Sequence, residues 1–319
     1  MKIKITCSEM CLERMIPNYL FQTGIEFVIN NPSCLICDAW FIFDSYGLDD
    51  DNCAICPPEK IFFVMGECEQ IHIYKRKFIR QFYNLITAQQ IDYKVQNIYK
   101  DYYACWFAGL KFSKKGLEKR YSYDDFSKMN PVKKTKLMSV ITSNKTMCEG
   151  HKERLNFVKE IKDHFGDEID VFGRGICDFE DKWDVLAPYK YHIAIENQQQ
   201  NYYITEKFHD PYLAFCYPLY YGAPNVDSFY SKESFLSIDI HNVKQSIEQI
   251  EVILQNNPYD NLLPDIIKTR DKILNDNNMF VKMAKLAAAV QAGGACKNII
   301  KHESEYGIRL RIKNALHLR

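Results

Sequence analysis

An excess of charge of one sign is what this chain lacks most plainly, with 41 Lys and Arg against 41 Asp and Glu. Without a global field, any hold on nucleic acid or an anionic membrane has to be local, and nucleic acid is not expected as a partner. Long apolar runs are missing too. The chain opens MKIKITC, with no apolar core of a signal peptide, and no later stretch approaches the roughly 20 residues of a membrane-spanning helix. The expected location is therefore cytoplasmic. No internal repeat or low-complexity tract interrupts the 319 residues, a length that suits two domains.

Cysteine, by contrast, is plentiful, and twelve in a chain of this kind read as free thiols rather than a disulfide framework. Cys34-x-x-Cys37 and Cys53-x-x-Cys56 have the spacing of a four-thiolate zinc knuckle. Each pair also borders an apolar run, 39–43 or 61–65, which suits strand-edge residues equally well. Asp49-Asp50-Asp51 sits in a polar loop and reads as a solvated turn rather than a metal motif. No metal is expected.

Apolar runs alternating with amphipathic stretches predict an α/β chain. In the first half, strands are expected near 3–6, 25–29, 40–43 and 61–65, and a helix over 75–87. The polar, Pro-interrupted segment 121–135 reads as a linker closing a first domain, 1–135. A second domain, 136–290, begins with a strand at 137–142, a helix at 151–164 and a strand at 169–172. It continues with a strand near 235–238, a helix over 243–255 and an Ala-rich helix over 278–290. The basic tail 291–319 fits two readings, an amphipathic helix touching anionic lipid or a final helix packed back on the first domain.

The richest stretch is 191–226. Tyr191 to Ile195 suits a buried strand, which places Glu196 and Asn197 just past its carboxyl end, where open α/β sheets bind ligands. Thr205 is a good N-cap for a helix starting at Glu206, and Lys207 adds a cation to an end that already favours anions. If Tyr203 is near-helical it lies one turn from Lys207, and both can face one ligand.

Glu196-Asn197, Tyr203-Ile204-Thr205-Glu206-Lys207 and Pro218-Leu219-Tyr220-Tyr221-Gly222, continued by Ala223-Pro224-Asn225-Val226, resemble the motif block of the α-1,3/4-fucosyltransferases, glycosyltransferase family 10. The likeness covers about 137–240, and its look is that of a bacterial member. It implies two Rossmann-like domains facing across a cleft, the GT-B arrangement. It also implies inverting transfer of fucose from GDP-fucose to a hydroxyl of an N-acetylglucosamine-type or related glycan, in α-1,3 or α-1,4 linkage, for surface polysaccharide. The family uses no zinc knuckle, which lowers the weight of the four-cysteine spacing.

Such transfer needs a base for the acceptor hydroxyl and cations for the departing diphosphate. Gly66-Glu67 follows the run 61–65, as Gly-Glu follows a similar strand in the family, so the resemblance makes Glu67 the catalytic base, with Glu69 its competitor. Ser143-Asn144 and then Arg154 match a Ser-Asn, spacer, Arg arrangement, so Arg154 and Lys207 would flank the two phosphates. Asn197, Tyr203 and Glu206 are implied donor contacts. Asn144, Glu196 and the glycine turn Gly173-Arg174-Gly175 are implied to shape the donor pocket. No cofactor is required on this reading, the partners are a nucleotide sugar and a glycan, and the oligomeric state is open. Two rivals stand beside it: a transferase of the same build using another GDP-sugar, and a nucleotide-sugar or glycan-binding protein without catalysis.

Overall fold

A computed structural model describes residues 1–8, 11–45, 47–146 and 148–306. The chain divides into two compact units, one of Met1–Glu13, Pro17–Tyr103 and the segment from Phe280, the other of Arg14–Ile16 and Ala104–Met279.

The first unit runs β1 (Lys2–Thr6), α1 (Asn18–Gln22), β2 (Glu26–Ile29), β3 (Ala39–Phe43), β4 (Cys53–Cys56), β5 (Ile61–Val64), α2 (Arg76–Ile79), β6 (Asn84–Ile86) and β7 (Asn97–Tyr99). Six of these strands form a sheet of order β2-β1-β3-β5-β6-β7, parallel throughout. Central parallel strands are covered on both faces, which is why AWFIF and IFFV are apolar without alternation and wholly buried. The helix expected over 75–87 is mostly not helical. Only Arg76–Ile79 forms a turn, and Asn84–Ile86 is instead a buried strand between β5 and β7. Short apolar runs carry no period that separates the two.

One charge lies deep in this unit. Lys4, fully buried in β1, pairs with Asp51 at 2.6 Å and donates to the carbonyl oxygens of Cys34 and Cys53, each at 2.9 Å. Asp51 also accepts from Thr6 Oγ1 at 2.9 Å. Asp51 is thus no part of a solvated turn, and the two cysteine loops close around an ammonium. Cys37 and Cys56 belong to the apolar core. Among the described residues no three His, Cys, Asp or Glu side chains converge as a metal site.

The second unit contains a hairpin, β8 (Leu110–Ser113) and β9 (Gly116–Lys119), then α3 (Tyr123–Lys128), β10 (Lys136–Ile141), α4 (Glu149–Phe165), β11 (Ile169–Phe172), β12 (Tyr189–Ile195), α5 (Glu206–Leu213), β13 (Tyr217–Tyr221), β14 (Leu236–Ser237), α6 (Val243–Asn256) and α7 (Tyr259–Leu274). Its sheet, order β11-β10-β12-β13-β14, is again all parallel. Helix α4 buries Phe157, Ile161 and Phe165, spaced by four, and stops at Gly166 with φ 54°. The break between units falls after Tyr103 rather than at 135. Phe107 N donates to Asp210 and Gly109 N to Asp181, both buried carboxylates of this unit, at 2.9 Å each. The stretch read as a linker holds α3, which opens on a Ser122–Asp125 capping box and buries Tyr123 and Phe126.

The chain then supplies α8 (Met279–Ala289) and β15 (Cys296–Ile299), which pairs antiparallel with β4 in the first unit. Glu303 accepts from Lys75 N at 2.7 Å and meets His72 Nε2 at 2.9 Å. The basic residues after Tyr306 lie outside the described residues. Among the described residues no helix is long and apolar enough to cross a membrane.

Candidate functional site

The strand order of the second unit's sheet reverses at β10. The chain leaves β10 through α4 to β11 on one side and resumes in β12 on the other, so the carboxyl ends of β10 and β12 flank the switch point. Thr142 follows β10, and Glu196 and Asn197 follow β12. Arg154, on α4, joins them: Nε donates to Thr142 Oγ1 at 3.0 Å and Nη1 to Asn197 Oδ1 at 2.7 Å. Its side chain is otherwise buried, and burial lowers its pKa from the usual arginine value. Among the described residues Nη2 donates no hydrogen bond. A guanidinium held through two of its nitrogens, with the third uncommitted, can bind a second ligand.

Beside it lies a cavity of about 140 Å³ whose lining includes Thr142, Ser143, Arg154, Lys182, Glu206 and Lys207. Glu196, wholly buried, accepts from Thr205 N at 2.9 Å, from Thr205 Oγ1 at 2.8 Å and from Lys207 Nζ at 3.1 Å. The anion at the start of α5 is therefore the chain's own carboxylate. The expectation that this helix end stands open to a ligand is corrected, and the cation of Lys207 is already matched by Glu196 and, at 3.7 Å, by Glu206. Lys207 keeps 22% of its side chain exposed, so one side of the ammonium still meets the cavity. Burial opposes its charge, yet the two carboxylates hold its pKa above the ordinary lysine value. For Glu206, burial is outweighed by Lys182 and Lys207, which bring its pKa down to about 2. Burial raises that of Glu196 against Lys207.

Two glycines make room for this arrangement. Gly173 has φ 138°, and a Cβ there would stand 1.5 Å from Thr142 O. At Gly222 a Cβ would lie 2.6 Å from Glu196 Cγ. Asn144 N donates to Arg174 O at 3.2 Å, which places both of these exposed residues at the mouth of the β10–β11 edge. Tyr203 is not helical, so the condition for its sharing a face with Lys207 is not met. It precedes α5, lies in a turn closed by its N–H to Gln200 O, and is buried. Pro211 sits inside α5 and removes the bond its N–H would make to Lys207 O, yet the helix continues to Leu213.

Three participants were not read from sequence: Thr142, Lys182 and Asp210. Lys182 Nζ lies 3.1 Å from Glu206 Oε1 and 3.1 Å from Asp210 Oδ2. No spacing rule finds them, because β10, the loop before β12 and α5 meet only through the fold.

In the first unit, Glu67 follows β5 as expected and is half-buried. Its loop is pinned: Gly66 N donates to Asp44 Oδ1 at 2.9 Å, Tyr74 O–H donates to the same oxygen, and Gln89 Nε2 donates to Glu67 O at 2.8 Å. Glu69 Oε1 instead accepts from Gln90 N at 2.6 Å. Burial pushes the Asp44 carboxyl pKa up.

Residues 131–262 match the family model described as Glycosyltransferase family 10 (fucosyltransferase) C-term. The matched stretch contains Asn144, Arg154, Gly173, Arg174, Glu196, Asn197, Tyr203, Glu206 and Lys207, while Glu67 lies outside it. The chain is 31% identical over 88 residues to an alpha-(1,3)-fucosyltransferase of Helicobacter pylori, covering 28% of this chain and 18% of the relative. It is 30% identical over 93 residues to GDP-fucose protein O-fucosyltransferase 3 of Danio rerio, covering 25% and 20%. The matched stretches thus span about a fifth of these curated relatives. A crystal structure of an alpha1,3-fucosyltransferase with GDP-fucose aligns with 82% of this chain and 80% of its own, at 18% identity and a TM-score of 0.47.

Proposed function

We propose that the chain is an inverting fucosyltransferase that moves fucose from GDP-fucose to a hydroxyl of an N-acetylglucosamine-type or related glycan. The observation that carries the reading is the Arg154 guanidinium, tied to Thr142 and Asn197 across the switch point within the stretch that matches the family 10 model. Glycosyl transfer places two negative charges on a departing diphosphate, and a fixed guanidinium neutralises them without reorganising.

On this reading Arg154 takes a phosphate oxygen on its uncommitted nitrogen, and Lys207 offers the exposed side of its ammonium to the other phosphate. Glu206 and Asn197 hold donor hydroxyls, and Tyr203 supports the loop before α5. The acceptor oxygen attacks the anomeric carbon of fucose, and its proton passes to Glu67. The bond from that carbon to the phosphate oxygen breaks, and its electron pair leaves with GDP. A cytoplasmic location, α-1,3 or α-1,4 linkage and contact of the basic tail with anionic lipid belong to the same proposal.

Glu67 lies outside the family match, and this favours one second reading, a nucleotide-sugar-binding protein that keeps Arg154 but does no chemistry. The test is incubation of the purified chain with GDP-fucose and a panel of N-acetylglucosamine-containing acceptors, with mass analysis of the products. A product heavier by one deoxyhexose, with release of GDP, is the expected result. Donor binding without transfer to any acceptor would establish the second reading, and turnover of a different GDP-sugar alone would reassign the donor.

A further inference from the structure

Lys182 belongs to no part of the sequence motif, yet its ammonium is the node of the charged cluster. It lies 3.1 Å from Glu206 Oε1 and 3.1 Å from Asp210 Oδ2, with 15% of its side chain exposed. Asp210 is buried and accepts from Phe107 N at 2.9 Å, while the Lys182 ammonium stands 5.1 Å from the Phe107 ring centroid. The residue before it, Asp181, caps the short 3₁₀ turn Lys182–Val185 and accepts from Trp183 N at 2.8 Å and Gly109 N at 2.9 Å. The backbone on both sides of Lys182 is therefore set by buried bonds, which fixes where the ammonium can reach.

Both ion pairs of Glu206, with Lys182 at 3.1 Å and Lys207 at 3.7 Å, fall on Oε1. We propose that Lys182 is a positioning residue for the donor: by holding Oε1 of Glu206 against Asp210, it turns Oε2 toward the cavity to accept a hydrogen bond from a hydroxyl of the nucleotide sugar. This rests on the donor reading given above. The groups around the Glu206 carboxylate are Lys182 from the 3₁₀ turn, Lys207 and Asp210 from α5, Glu196 from the end of β12 and Arg154 from α4. Lys182 and Lys207 together outweigh burial and keep Glu206 ionised. Lysine serves here because one ammonium must meet two carboxylates from different parts of α5, and Lys182→Arg preserves the charge.

The test uses the full chain and compares Lys182→Met and Lys182→Arg with the parent in two measurements. In the ligand-free protein, the Glu206 carboxyl is titrated by NMR; in turnover, kcat/KM for GDP-fucose is followed against pH. The expected outcome for Lys182→Met is a Glu206 titration moved upward, an acid limb of kcat/KM moved the same way, and a loss of about ten-fold or more above that limb. In Lys182→Arg the carboxyl and the acid limb return toward the parent. A carboxyl that titrates as in the parent, or activity lost equally in both variants with no movement of the acid limb, would overturn the positioning role. If the carboxyl moves as expected but the parent neither binds nor turns over GDP-fucose, the donor reading fails and the role falls with it. Because the titration needs no donor, the two failures are distinguishable.

Discussion

Both units bury charged side chains, the first within its parallel sheet and the second on the helices and turn beside its own, and they bury them differently. In the first, Lys4 meets a carboxylate and two carbonyl oxygens with no exposed surface, so all three protons of its ammonium are engaged inside the protein. In the second, Arg154, Lys182 and Lys207 face Glu196, Glu206 and Asp210 along a cavity, with one guanidinium nitrogen uncommitted and two ammonium groups partly exposed. A closed ion pair fixes a fold and does nothing further. A cluster of matched charges opened on one side can take a ligand while its own members hold one another in place, which is the condition for preorganised electrostatic stabilisation.

The largest effect expected is on Glu67, the residue of the first unit proposed to act in chemistry. Glu67→Gln should lower the rate of transfer by about 10²- to 10⁴-fold and leave GDP affinity in calorimetry as in the parent. Transfer at the parental rate would leave the first unit with no catalytic carboxylate. Next comes the closed pair. Lys4→Met strands Asp51 in the interior and should cost about 3–5 kcal/mol in denaturant unfolding, whereas Lys4→Met with Asp51→Leu should recover most of that loss. Unchanged stability in the single variant would break the contrast from the structural side.

A smaller effect follows from acid. Among the described residues all three buried histidines, His151, His192 and His209, belong to the second unit. Burial, aided by the nearby charge of Lys182, depresses His192 to about 3 from an ordinary 6.5, and its Nδ1 meets Ser139 Oγ at 2.8 Å. Between these two values the unfolded chain binds a proton that the folded one does not, so stability is lost as pH falls below 6.5. The loss approaches about 1.4 kcal/mol per pH unit. His192→Asn should flatten that slope in thermal unfolding measured from about pH 7 to pH 5. An unchanged slope would assign the acid sensitivity elsewhere.

Much of this was legible in the chain. Runs such as AWFIF, IFFV and YHIAI were readable as strands, and they are central and parallel, where residues covered on both faces need no alternation. Thr205-Glu206-Lys207 announced the start of α5, and Glu196-Asn197 fell at the carboxyl edge of β12 as read. The helix over 75–87 and the linker over 121–135 were misread for one reason: local composition does not say which sheet a short apolar or aromatic group will join. Phe126 packs not only on nearby Tyr121 but on Trp106 and Trp183, which are distant in sequence. The state of Lys207 was hidden in the same way. The motif showed a cation at a helix start, and only the fold shows that Glu196 already answers it. Lys182 and Asp210 gave no signal, since a lone Lys before a Trp and an Asp within a helix are ordinary surface patterns.

Arg154, tied to Thr142 and Asn197 at the switch point of the second unit, is the residue proposed to hold the diphosphate. Titration of GDP into the parent and into Arg154→Ala, with circular dichroism to show that both are folded, tests it most directly. GDP should bind the parent measurably and the variant with an affinity lower by about ten-fold or more, as expected when one charge-assisted hydrogen bond to a phosphate is removed. GDP bound equally well by the two proteins would contradict it.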